Sequence, residues 1–117
     1  MAIVGIGVDV ADVGRFVASL ERTPGLRERL FTAGEAGLAP ESLAARFAAK
    51  EALAKALGSP GGMRWLDCEV RRNGQGQPYF DVRGTVEARV KAMRIGRIHL
   101  SISHDGGFTT AMVVCES

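Results

Sequence analysis

Hydrophobic positions along this chain follow strand spacing in some segments and helix spacing in others. Ile3 to Val10 is an apolar, β-branched run containing Gly5 and Gly7, and it predicts a strand buried on both faces. Val13, Phe16, Val17 and Leu20 recur at helical spacing behind Asp12, a suitable capping residue, and Thr23-Pro24-Gly25 ends the helix they predict. Leu26 to Leu30 predicts a short helical turn, and Thr32 with Glu35 has the spacing of a capping box. The longest helix is expected to open at Glu41 and Ser42 and to close near Leu57, with Gly58 as terminator and Pro60 preventing continuation. Trp65 to Arg72 and Pro78 to Val82 read as a hairpin around the glycine-rich turn Asn73 to Gln77. Thr85 to Met93 reads as an amphipathic helix with Val86, Val90 and Met93 inward. Ile98 to Ser103 alternates as a half-buried strand, and the turn Asp105-Gly106-Gly107 joins it to an antiparallel partner, Thr109 to Val114. The expected class is α+β, a mostly antiparallel sheet packed on one long helix.

That long helix breaks the usual amphipathic rule. At about 100° per residue, Leu43, Phe47, Leu53 and Leu57 fall on one side. Arg46 and Lys50 fall among them, and Glu51 and Lys55 lie at the edge of the same stripe. The remaining surface is largely alanine, at Ala44, Ala45, Ala48, Ala49, Ala52 and Ala56. An alanine side this apolar calls for a closely packed neighbour, either in the same chain or in another subunit. Charges among leucines call for partners or a wet cleft, because burying an unpaired charge is costly. The bland alternative is an exposed Glu51–Lys55 pair worth about 0.2–0.5 kcal/mol, with long side chains reaching past the leucines to water.

Composition narrows the function without naming it. The 117 residues fit one domain, 1–117, and a core this small makes oligomerisation a natural way to bury more surface. A charged fraction of 24% and a net charge of +2 do not suggest a nucleic-acid binder. No apolar run approaches the ~20 residues of a membrane span. The N-terminal segment has no basic stretch and carries Asp9, so it does not read as a signal peptide, and a cytoplasmic location is expected. Cys68 and Cys115 sit in apolar runs without metal-type spacing and are expected to be reduced and buried, with a single disulfide as the alternative.

Three motifs carry a resemblance. They are Gly7-Val8-Asp9-Val10 closing the first strand, Phe47-Ala48-Ala49-Lys50-Glu51-Ala52 followed by Lys55 on the long helix, and Ser101-Ile102-Ser103-His104 closing a late strand. Together, in this order and spacing, they resemble the holo-acyl-carrier-protein synthase family of 4′-phosphopantetheinyl transferases. The segment from Leu30 to Glu35 and the turn Gly74 to Pro78 agree with it as well, whereas the stretch between Glu35 and Arg46 is shorter than in many members.

The resemblance implies transfer of the 4′-phosphopantetheine arm of coenzyme A to a serine of apo acyl carrier protein, in support of fatty acid biosynthesis. It implies Mg²⁺ on Asp9 and Glu51, with Lys55 beside them. Two carboxylates with phosphate and water oxygens suffice for that ion. Arg46, Lys50, Lys55, Gly62, Pro78 and His104 are the candidates for coenzyme A, with Arg46 and Lys50 open between phosphate binding and structural work. His104 suits either phosphate binding or base catalysis, its ordinary pKa being about 6.5. Asp105 either orients it, acts as base, or simply starts a turn. Arg15 and Arg22 are candidates for docking the acidic carrier protein. A homotrimer with active sites between subunits is also implied. Two competing readings are a coenzyme A- or nucleotide-binding module without turnover, for which the Asp9–Glu51 pair has no use, and a plain oligomeric scaffold with a solvated charged stripe.

Overall fold

The computed structural model describes residues 1–117. Strand β1 (Ile3–Asp12) leads into helices α1 (Val13–Arg22), α2 (Leu26–Leu30), α3 (Ala33–Ala36) and α4 (Pro40–Ala56). A 3₁₀ turn (Trp65–Asp67), strands β2 (Cys68–Arg72) and β3 (Pro78–Val82), helix α5 (Gly84–Ala92) and strands β4 (Arg97–Asp105) and β5 (Phe108–Glu116) follow. Strands β1, β5 and β4 form one antiparallel sheet in that order, and β2 and β3 a separate hairpin. No helix is long and apolar enough to cross a membrane.

Local chemistry accounts for the ends of these elements. Asp12 caps α1 by accepting from the Arg15 N–H at 3.0 Å. Pro40 starts α4, where its missing N–H leaves no bond unmade. Gly58, at φ +81°, follows the C-cap Leu57 as expected. Gly106 and Gly107 both have positive φ, which the tight β4–β5 connection requires.

The sheet and α4 meet through small residues. A Cβ on Gly5 would stand 2.0 Å from the Ala56 carbonyl oxygen, and one on Gly7 1.9 Å from that of Ala52. Backbone can lie against backbone only because both positions are glycine. Ala48, Ala49, Ala52 and Ala56 join Ala111, Val113 and Cys115 in the main core, so the alanine side of α4 is covered by its own chain. A second cluster, with Phe16, Phe31 and Leu43, ties α1 and α2 to α4. Cys68 and Cys115 are free and buried, and burial pushes the Cys68 thiol up to about 12.

Two expectations need correction. Trp65 to Asp67 is a 3₁₀ turn, and the strand begins only at Cys68. β1 is buried on one face, not two: Ile6, Val8 and Val10 point away from α4 and are 60–64% exposed. A run of β-branched residues is compatible with either arrangement, because sequence does not say what covers the second face.

Candidate active site

Helix α4 lies over β1 and β5 and turns a different set of charges to each flank. Toward the free edge of β1, the Lys55 ammonium donates to Val8 O at 2.9 Å and to Asp9 Oδ1 at 3.1 Å. Lys55 therefore pairs with Asp9, not with Glu51 one turn earlier. Glu51 is half-buried beside them. Desolvation pushes its carboxyl above the ordinary range, the negative charge of Asp9 pushes it further, and Lys55 opposes both. Asp9 and Glu51 thus place two hard oxygen donors of like charge beside the Lys55 ammonium. The chain offers no cluster of three or more potential metal ligands, so a hard ion here would take its remaining oxygens from phosphate and water.

The opposite flank is cationic. Positions 46 and 55 are about 180° apart on the helix and about 13 Å apart along it, which turns Arg46 toward β4. Arg46 lines a cavity of about 280 Å³ together with Ser42, Arg72, His104 and Asp105. It is 8% exposed, and its Nε has no hydrogen-bond partner. Burial and the neighbouring Arg72 lower its pKa. Two guanidiniums and an imidazole line this cavity, a donor set suited to an anion, and Glu41 and Asp105 line it as well. His104 faces the α4 side of the sheet by its register with Thr109, and Asp105, the last residue of β4, borders the same cavity. No hydrogen bond joins the two, so Asp105 does not orient the histidine.

Lys50 is not available to a ligand. It is 0% exposed, and its ammonium donates to Leu30 O at 2.6 Å, Glu35 Oε1 at 2.8 Å and Trp65 O at 3.1 Å. All three of its protons are committed, so the candidate phosphate role for Lys50 gives way to a structural one. Gly62 lies in an exposed loop at φ +78° and Pro78 opens β3, and neither borders the cavity. Arg15 and Arg22 are exposed on α1. The expectations missed Arg72. The doublet Arg71-Arg72 was the available signal, since alternation sends one side chain to each face: Arg71 goes to Asp81 at 3.4 Å, and Arg72 lines the cavity while its Nη1 donates to Gly76 O at 2.7 Å.

The family profile described as "4'-phosphopantetheinyl transferase superfamily" matches residues 5–110. The chain belongs to this superfamily. Within it the chain falls among the holo-[acyl-carrier-protein] synthases. It is 58% identical over 118 residues to the synthase of Frankia alni, covering all of both chains. It is 63% identical over 113 residues to that of Clavibacter sepedonicus, covering 96% of this chain and 94% of the relative. The crystal structure of the Neisseria meningitidis synthase superposes with a TM-score of 0.90 at 30% identity, covering 99% and 100% of the two chains. The Helicobacter pylori synthase in complex with coenzyme A superposes with a TM-score of 0.83 at 28% identity, covering 95% and 99%. The chain is thus an enzyme of phosphopantetheinyl transfer, which removes the binding-module and scaffold readings.

Proposed function

We propose that this enzyme moves the 4′-phosphopantetheine arm of coenzyme A to a serine hydroxyl of apo acyl carrier protein, with Mg²⁺, in the cytoplasm and in support of fatty acid biosynthesis. The serine hydroxyl gives up its proton to solvent, its oxygen forms a bond to the phosphorus bearing the arm, the bond from that phosphorus to the bridging oxygen breaks with its electrons passing to that oxygen, and 3′,5′-ADP leaves. The observation that carries the reading is the Asp9–Glu51 pair with Lys55 on an open flank of α4. Asp9 and Glu51 fit a Mg²⁺ ion, and bound there it supplies a counter-charge to the pyrophosphate as it breaks. Lys55 is half exposed on a flexible stem, so it can leave Asp9 and follow the phosphates as a point charge. Arg46, Arg72 and His104 suit a second phosphate of coenzyme A, and anion binding fits His104 beside two guanidiniums better than base work does.

The same geometry supports a homotrimer. The acidic and cationic flanks face away from each other across α4, so one chain does not close both around a single ligand. A ring of copies, each meeting the next through a different surface, would bring the β1 edge of one subunit to the β4 edge of another. The open sheet face, with Ile6, Val8, Val10, Phe108 and Met112 between 45% and 64% exposed, is the apolar surface such contacts would cover. Exposed Arg15 and Arg22 on α1 suit docking of an acidic carrier protein.

The test is to incubate the protein with apo acyl carrier protein, coenzyme A and Mg²⁺ and to weigh the carrier by mass spectrometry. The expected outcome is a gain of one phosphopantetheine, abolished by a chelator. A carrier of unchanged mass in the presence of Mg²⁺ would refute the activity. Sedimentation is expected to show a trimer that Val8→Asp dissociates with loss of turnover, and an active monomer would end the shared-site model.

A further inference from the structure

The Lys50–Glu35 pair is fully buried, and the transfer reaction gives it no task. Replacing a buried ion pair with well-packed apolar residues is often neutral or stabilising, so its presence asks for another reason. Arg46 precedes Lys50 by one turn on the same side of α4. Glu35 and Glu69 are the carboxylates whose charge reaches Arg46 and opposes the effects of burial and Arg72. Neither forms an ion pair with it.

Both carboxylates are held elsewhere. Glu35 Oε1 accepts from Lys50 Nζ at 2.8 Å and from the Thr32 N–H at 3.1 Å, while Oε2 accepts from the Val70 N–H at 2.8 Å. Glu69 Oε1 accepts from the Thr32 hydroxyl at 2.8 Å, and its Oε2 lies 3.7 Å from Arg71 Nε. A guanidinium in a partly dry cavity would ordinarily be claimed by the nearest carboxylate, which an incoming anion would then have to displace.

We infer that Lys50 and Glu35 are positioning residues for the anion site: Lys50 holds the Glu35 carboxylate away from Arg46 and leaves the Arg46 guanidinium free for phosphate. The inference rests on the assignment of Arg46 to a phosphate of coenzyme A. It makes the two partners of one ion pair act in opposite directions. Without Lys50, the Glu35 charge turns to Arg46 and competes with the ligand. Without the Glu35 charge, the Lys50 ammonium adds to the positive potential at the cavity.

The experiment is calorimetric titration of the intact protein with 3′,5′-ADP. Lys50→Met is expected to weaken binding about tenfold, the effect of one competing charge at close range. Glu35→Gln is expected to leave binding unchanged or tighter, and the double variant to return to the wild-type value. Parallel weakening by both single variants would overturn the inference, because a purely structural pair predicts it. So would a double variant as weak as Lys50→Met. If Lys50→Met does not fold, Glu35→Gln and the double variant still decide, since weakening in either one refutes the inference. Arg46→Ala is the separate control: unchanged binding there, or no binding by the wild type, refutes the phosphate assignment itself.

Discussion

Lys50 and Lys55 stand five residues apart on one helix, and each meets a carboxylate, yet their surroundings are opposite. Lys50 and Glu35 are 0% and 1% exposed, and every proton of the ammonium is used. Lys55 and Asp9 are 51% and 18% exposed and share a single hydrogen bond, the ammonium donating as well to Val8 O. The buried pair is locked because water cannot replace either partner, and losing one strands the other. The open pair is loose because water can replace both. One helix thereby separates a charge that holds the fold from a charge free to act on a ligand.

The largest effect that tests this contrast is on stability. Lys50→Met is expected to lower unfolding free energy by about 3–5 kcal/mol, whereas Lys55→Met is expected to change it by less than about 1 kcal/mol. Urea denaturation of both variants checks this, and equal losses would erase the distinction. On activity the order reverses. Glu51→Gln and Lys55→Met are each expected to lower turnover roughly 10²- to 10³-fold, typical for removing a charge that acts on the transition state, with folding intact by circular dichroism.

A smaller effect separates Glu51 from both lysines. Its carboxyl titrates above the ordinary range, so the folded state holds it ionised at a disadvantage. That penalty is absent below the unfolded pKa and is fully present above the raised folded one. Without Mg²⁺, Glu51→Gln is therefore expected to melt higher than the wild type near neutrality and to converge with it as pH falls through the carboxylate range. A variant that melts lower at neutral pH would contradict the sign. Raising Mg²⁺ is expected to close the gap by stabilising only the wild type. The smallest effect is at α1, where Arg22→Ala is expected to raise KM for the carrier a few-fold, and less so in high salt, while leaving stability within about 0.5 kcal/mol.

The sequence carried most of the fold in its punctuation. Asp12, Pro24, Gly58 and the Gly106-Gly107 turn mark element ends that the structure keeps, because each is enforced by local backbone chemistry. Trp65 to Asp67 was misread because an apolar triplet looks alike in a 3₁₀ turn and in a strand. The candidate site stood out where a motif placed a charge on an unusual side of a helix, as at Glu51 and Lys55. It was not legible where a role depends on a distant segment: that Lys50 is consumed by Glu35, or that Arg72 meets Arg46, depends on which strand packs beside α4. The open face of β1 was hidden for the same reason.

The absent side chains of Gly5 and Gly7 also set a tolerance. Gly7 lies two residues before Asp9 on β1, and Ala52 lies directly after Glu51 on α4, so the contact of the Gly7 backbone with the Ala52 carbonyl works as a spacer gauge for the two carboxylates. A methyl at either glycine would lift the helix from the strand and widen the span a cation must bridge. Gly7→Ala is then expected to disturb the spacing of Asp9 and Glu51 as well as the packing, and to weaken the proposed Mg²⁺ binding although neither carboxylate had been touched.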